Sequence, residues 1–87
     1  MKINSPGLER NNVILYTTLV GGYYTYVLGW IEIMFDTHVE VHSRVMISKP
    51  SMGGSHRVGY AAIKAVVHPK YMKTPHKLIE DHPEYFV

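Results

Sequence analysis

The stretch that decides the fold extends from residue 13 to residue 30 and reads VILYTTLVGGYYTYVLGW. It is rich in β-branched and aromatic residues, which favour strands. Gly21-Gly22 divides it, and Gly-Gly is one of the few pairs that accept the positive φ angles of a type I′ turn. We therefore predict a β-hairpin whose register places Val20 opposite Tyr23 and Val13 opposite Trp30.

This register gives the hairpin one face that we expect to form a core layer. Its members are Val13, Leu15, Thr17, Leu19, Tyr24, Tyr26, Leu28 and Trp30. Beyond Gly29 the apolar residues change from even to odd positions. Because a strand cannot change its buried face without an extra residue, we predict a β-bulge or sharp bend at Gly29-Trp30.

A membrane helix is the alternative for this region, since residues 11–31 carry no charge and 21 residues could span a bilayer. We favour strands, because thirteen of residues 13–31 are Val, Ile, Thr, Tyr or Trp. The N-terminal residues Met1–Gly7 also lack the apolar run of a signal peptide. A cytoplasmic location is therefore expected.

The third predicted strand shows a strict period of two. Val39, Val41, Ser43, Val45 and Ile47 alternate with His38, Glu40, His42, Arg44 and Met46. We expect the odd positions to be buried and a loop at residues 36–38 to join this strand to the second. The resulting pairs are Phe35 with Val39 and Ile33 with Val41 on the buried face, and Glu32 with His42 and Trp30 with Arg44 on the exposed face.

After this strand the pattern changes. Residues 48–55 form a loop by composition, and the spacing of Tyr60, Ile63 and Val67 favours a helix, with Ser55 as its N-cap. Thr74 and Pro75 predict the start of a second, short helical turn. The predicted fold is α+β: an antiparallel β-meander (12–20, 23–35, 38–48), a helix at 56–67 and a turn at 75–81.

Length and composition limit what the chain can be. Eighty-seven residues with 46% hydrophobic and 18% charged residues predict one small globular domain, 1–87, with flexibility expected at 1–10 and 83–87. The absence of cysteine excludes disulfides and thiolate metal sites. The histidines lack the spacing of a metal motif, and acids are few outside the two ends. We therefore expect no enzyme, no metal and no cofactor.

The net charge of +2 conceals an uneven distribution. Residues 41–79 contain no acid and seven Lys or Arg residues. Such a segment is typical of a surface that neutralises phosphates, although an ordinary solvated lysine face is the alternative. The predicted anion or nucleic-acid contacts are Arg44, Lys49, His56, Arg57, Lys64, Lys70, Lys73 and Lys77. The predicted aromatic contacts are Trp30, Tyr60 and Tyr71.

These features predict a non-enzymatic binding module whose basic face docks an anionic partner, with nucleic acid slightly favoured. The alternative is a small inhibitor or adaptor, of the kind encoded by phages or mobile elements, that binds an acidic or nucleic-acid-binding groove of a larger protein. Exposed aromatics such as Trp30, Tyr23 and Tyr24 on the sheet would favour the protein partner. An exposed sheet edge at residues 11–20 would allow strand addition or a homodimer.

Overall fold

The computed structural model describes residues 8–48 and 53–86. Within them lie five strands: β1 (Val13–Val20), β2 (Tyr23–Met34), β3 (His38–Met46), β4 (His56–Gly59) and β5 (Ile63–Val67). One α-helix, α1, spans Pro75–Asp81, and three short 3₁₀ turns span Tyr60–Ala62, Pro69–Met72 and Pro83–Phe86. The α+β class predicted from the sequence is confirmed, but the sheet has more strands than the predicted meander.

The five strands form one antiparallel sheet in the order β4-β3-β2-β1-β5. Its two edge strands, β4 and β5, are joined by only the three-residue turn Tyr60–Ala62. In a flat sheet the edges would lie roughly 19 Å apart, since neighbouring strands are about 4.8 Å apart. A 3₁₀ turn advances only about 2 Å per residue. The sheet is therefore curled, so that its edges approach each other at this turn.

The two faces of the sheet carry separate hydrophobic clusters. The inner cluster lies within the curl and consists of Ile14, Tyr16, Val27, Ile31, Val39, Val41 and Val58. The outer cluster joins the sheet to the C-terminal segment and consists of Val13, Leu15, Leu28, Ile47, Val67, Tyr71 and Leu78. Successive residues of β1 alternate between the two clusters, so the first half of β1 is buried on both sides.

The predicted hairpin is confirmed in every pair of its register, from Val13 opposite Trp30 to Val20 opposite Tyr23. Gly21 and Gly22 have φ angles of 58° and 88°, which are the positive values that the turn requires. A side chain at either position would be strained for the same reason. The turn chemistry alone was thus enough to set the register of these strands.

The predicted pairing of β2 with β3 is wrong by one or two residues. Val41 lies opposite Ile31, and not Ile33, while Val39 lies opposite Met34. Trp30 lies opposite His42, so the expected Trp30–Arg44 contact is also wrong.

Two irregularities cause this difference. The first places Ser43 and Arg44 opposite Gly29 alone, so the extra residue is on β3, where Ser43 has a φ of 54°. The second adds a residue to β2 at Glu32. A bulge at the level of Gly29 was predicted correctly, but on the wrong strand.

The bulge at Ser43 moves the second half of β3 to the other face of the sheet. Val39 and Val41 belong to the inner cluster, whereas Val45 and Ile47 pack in the outer cluster. The prediction of one continuous buried face on β3 is therefore wrong. The expected burial of Ile33 and Phe35 is also wrong, because they are 41% and 42% exposed.

The predicted helix at 56–67 is wrong. This segment forms β4, a 3₁₀ turn and β5, and Ser55 precedes a strand and caps no helix. β4 pairs with β3 through Val39–Val58, and β5 pairs with β1 through Val13–Val67. Pairing with strands far away in the sequence thus overrides the weak helical spacing of the segment.

The C-terminal helix is confirmed, with Thr74 as the residue before it and Pro75 at its first position. Pro75 and Leu78 are buried, and Tyr85 and Phe86 pack against the outer cluster. The Phe86 ring meets the Tyr26 ring edge-on, with centroids 4.7 Å apart. The C-terminal segment therefore covers the outer face of β1 and β2.

Candidate interaction surfaces

The tip of the β1–β2 hairpin projects beyond the sheet. β5 pairs with β1 only as far as Tyr16, and the pairing of β2 with β3 begins at Val27. Between these points the two strands pair with each other, and Tyr26 also accepts a 3.1 Å hydrogen bond at its carbonyl from the Ile47 amide. Tyr26 still packs against the outer cluster, so we call residues 17–25 the hairpin arm.

The hairpin arm exposes large apolar side chains on both of its faces. Leu19 is 58% exposed and lies opposite Tyr24, which is 78% exposed. Val20 is 36% exposed and lies opposite Tyr23, which is also 78% exposed. The predicted burial of Leu19 and Tyr24 is therefore wrong, since nothing in the described part of the chain covers them.

The exposed apolar area of the arm is large for so small a protein. A tyrosine side chain can bury about 150–250 Å², so the two tyrosines at 78% exposure present about 300 Å² together. This area is divided between two faces, because Leu19 lies beside Tyr24 on one face and Val20 lies beside Tyr23 on the other. Exposed apolar side chains that cluster in this way are typical of interaction sites.

The predicted anion-binding residues are distributed over several elements of the fold. Arg57 lies on edge strand β4, and its Nε is 3.7 Å from Glu40 Oε2 on the neighbouring strand β3. Lys64 lies on the opposite edge strand, β5. Lys70, Lys73 and Lys77 lie on the C-terminal segment. Lys49 falls outside the described residues.

The C-terminal acids partly neutralise the lysines of this segment. Lys77 Nζ lies 3.9 Å from Glu80 Oε1 on the same helix. The Tyr71 hydroxyl donates a 2.5 Å hydrogen bond to Asp81 Oδ2, and this bond, aided by nearby Lys70 and Lys77, lowers the pKa of Asp81. The same bond raises the pKa of Tyr71.

Two lysines remain available to an anionic partner. Lys64 and Lys73 are exposed, and neither forms an ion pair within the described part of the chain. Lys70 Nζ lies 5.2 Å from the centre of the Tyr71 ring, at cation–π distance. The basic surface is therefore smaller than the count of positive charges suggests.

Arg44 and His56 meet at Tyr16, which the sequence analysis did not single out. The Tyr16 and His56 rings stack with centroids 6.0 Å apart. Burial raises the pKa of Tyr16, and Arg44 partly offsets this effect. Burial, followed by the charge of Arg44, lowers the pKa of His56. Tyr16 Oη and His56 Nδ1 have no hydrogen-bond partner among the described residues.

The Arg44 side chain is held in place at this cluster. Its Nε donates a 3.2 Å hydrogen bond to the carbonyl oxygen of Gly53, and the Gly53 amide donates to the Arg44 carbonyl at 2.7 Å. These contacts close the base of the β3–β4 loop. They give Arg44 a structural role and leave part of its guanidinium facing Tyr16 and His56.

The three predicted aromatic contacts are engaged within the protein. Trp30 packs against the outer cluster, and Tyr71 belongs to it. Tyr60 donates a 2.5 Å hydrogen bond from its hydroxyl to the carbonyl oxygen of Phe35. The aromatics most open to a partner are instead Tyr23 and Tyr24, which lie beside the Gly21-Gly22 turn at the end of the hairpin.

Residues 8–48 and 53–86 contain neither a cluster of metal ligands nor a helix that could span a membrane. No three His, Asp or Glu side chains in these ranges gather as metal ligands would. None of the helices described has the length and apolar character to cross a membrane. Comparisons with family models, curated proteins and solved structures found no match to this chain.

Proposed function

We propose that this protein is a non-enzymatic protein-interaction module that docks through its hairpin arm. The observation that carries the proposal is the exposure of Leu19, Tyr23 and Tyr24 on a projecting arm. Tyrosine is enriched among the side chains that anchor protein interfaces, because it adds contact area at a low entropic cost.

The chemistry of the arm also indicates what kind of surface it fits. Residues 11–31 carry no charge. A strongly acidic or basic partner surface would lose hydration there without gaining an ion pair. The complementary surface is therefore an apolar groove or the edge of another β-sheet.

Affinity capture with immobilised full-length chains tests this proposal. The wild type is compared with a Tyr23→Ser/Tyr24→Ser variant, and Ile79→Ser serves as control because Ile79 is an exposed apolar residue outside the arm. We expect a protein that the wild type and the control retain and the double variant does not. Equal retention by all three chains, or retention of no protein by the wild type, would overturn the proposal.

A second candidate is nucleic-acid binding, supported by the unpaired Lys64 and Lys73 and by the absence of acids from residues 41–79. Backbone phosphate contacts make binding steeply dependent on salt. A salt titration with duplex DNA, duplex RNA and single strands measures this dependence. If both lysines contact phosphates, Lys64→Glu/Lys73→Glu should reduce the salt slope by about 2. No binding at low salt would exclude this candidate.

A further inference from the structure

Tyr16, His56 and Arg44 meet on the inner side of the curled sheet, and we call these three residues the polar cluster. They come from three different strands, β1, β4 and β3. The His56 ring stacks on the Tyr16 ring, although β4 and β1 are not neighbours in the sheet. Tyr16 is fully buried, whereas His56 and Arg44 are partly exposed. The Tyr16 hydroxyl therefore lies at the inner end of the cluster, and the other two side chains lie nearer to solvent.

The polar cluster contains two buried polar atoms that lack partners. Tyr16 Oη and His56 Nδ1 are out of contact with solvent and have no hydrogen-bond partner among the described residues. Such groups destabilise a fold, and nearly all of them in native proteins are bonded to protein, to ordered water or to an ion. Two of them in one stacked pair of rings indicate that a further molecule binds there.

Arg44 determines which charge that molecule should carry. Burial and then the charge of Arg44 lower the pKa of His56, while burial raises the pKa of Tyr16 and Arg44 partly offsets this rise. Arg44 thus lies close to both rings. It forms no ion pair within the described part of the chain, and residues 41–79 contain no acid. A partly buried guanidinium without a counter-charge favours an anion.

We infer that the polar cluster binds a small oxyanion, a phosphate or a carboxylate, between the Arg44 guanidinium, the Tyr16 hydroxyl and the Nδ1–H of His56. All three groups can donate a hydrogen bond, and such bonds are strongest when the acceptor is charged. The Arg44 Nε already donates to the Gly53 carbonyl, so the terminal nitrogens of Arg44 remain for the anion. The polar cluster contains no residue of the hairpin arm, and the inference therefore goes beyond the proposed function.

A water molecule is the alternative partner of the two buried atoms. Water would bond to Tyr16 Oη and His56 Nδ1 but would leave Arg44 without a counter-charge. An anion reaches these atoms only if the Arg44 side chain turns aside, since neither atom contacts solvent. Arg44 is held there by a bond of 3.2 Å to Gly53, which is at the long end of the usual range. Only an anion gives binding that saturates with its own concentration.

A nuclear magnetic resonance titration of the full chain with sodium phosphate, and separately with sodium acetate, tests the inference. Sodium chloride keeps the ionic strength constant, and pH is fixed. The wild type should bind at least one of the two anions saturably, and the one bound more tightly identifies phosphate or carboxylate as the ligand class. Binding of neither anion overturns the inference.

Tyr16→Phe removes one donor and leaves the ring in place. It should weaken binding at least about tenfold, as expected for the loss of a hydrogen bond to a charged group. Tyr23→Phe is the matched control, because it removes a hydroxyl from an exposed ring of the hairpin arm, and it should bind as the wild type does. Equal affinity of Tyr16→Phe and the wild type contradicts the assigned site.

The side-chain signals of the wild type provide a second measurement, which does not depend on the folding of any variant. The His56 imidazole and the Arg44 guanidinium signals should shift with the same saturating dependence on anion concentration. His76, which is exposed, and Arg57, which lies beside Glu40, should not follow it. Saturation at His76 or Arg57 without a change at His56 and Arg44 would place the anion elsewhere and overturn the inference.

Discussion

Gly29 lies against Val41 and Tyr16 of the inner cluster, and replacing it with alanine should destabilise the protein. A Cβ atom built on Gly29 would lie 2.9 Å from both Cβ and Cγ2 of Val41, and 3.5 Å from Cε1 of Tyr16. Val41 is a branched residue in the inner cluster and belongs to a paired strand, so it cannot move away cheaply.

The expected loss is about 1–3 kcal/mol, the usual effect of adding a methyl group to a packed core. An 87-residue protein has a total stability of roughly 4–13 kcal/mol, so the change is large. Each kcal/mol should lower Tm by about 4–8 °C in a domain of this size. Thermal and urea denaturation followed by circular dichroism measure both quantities.

Gly59→Ala is the matched control, since Gly59 also lies in a strand, has a φ of −66°, and has open space where its Cβ would be. Gly59→Ala should leave the stability unchanged or raise it by up to about 1 kcal/mol, because alanine lowers the conformational entropy of the unfolded chain. In a Val41→Ala background, Gly29→Ala should cost less than in the wild type. Equal effects of Gly29→Ala and Gly59→Ala would refute the packing argument.

Three further predictions concern single side chains. Tyr16→Phe should raise the free energy of unfolding by about 1 kcal/mol in urea titrations, because it removes a buried hydroxyl without a partner among the described residues; a clear loss of stability would contradict this. Because the pKa of His56 is lowered in the fold, the protein should lose stability as pH falls below 6.5. His56→Gln should reduce that loss, whereas the control His76→Gln, at an exposed position, should not. The fold lowers the pKa of Asp81 from 3.8. Its contribution to the free energy of unfolding is therefore present above pH 3.8 and is lost as pH falls through the lower pKa of the folded state. Tyr71→Phe should reduce the fall of Tm with falling pH in the acid range. An unchanged fall of Tm would exclude the Tyr71–Asp81 hydrogen bond as its source.

The parts of the fold that could be predicted from sequence are those set by local chemistry. Gly21-Gly22 requires a tight turn and therefore fixes every pair of the hairpin. Thr74 and Pro75 mark the start of α1 for an equally local reason. Neither prediction needs information about distant parts of the chain.

The failures arise from contacts between residues far apart in sequence. Residues 56–67 show weak helical spacing, and only β1 and β3 supply the partners that make them strands. The bulge at Ser43 requires a positive φ at a non-glycine residue, which the alternating pattern of β3 does not reveal. The first half of β1 is buried on both faces, so it shows no alternation that could indicate a second core.

The candidate site was predictable only in part. The sequence suggested Trp30, Tyr23 and Tyr24 as aromatics of a sheet that could contact a partner, although it also placed Tyr24 in a core layer. It could not show that Arg57 lies beside Glu40 or that Asp81 lies near Lys70, since the fold brings these charges together. Counting charges along the chain therefore could not show which cations have an acidic neighbour.

Affinity capture repeated with nuclease treatment tests the central claim, docking through the hairpin arm, most directly. The wild type and the Tyr23→Ser/Tyr24→Ser variant are compared with and without digestion of nucleic acid. The account predicts that the retained protein survives nuclease treatment and is lost only from the double variant. Retention that disappears with nuclease but is unaffected by the tyrosine substitutions would contradict it.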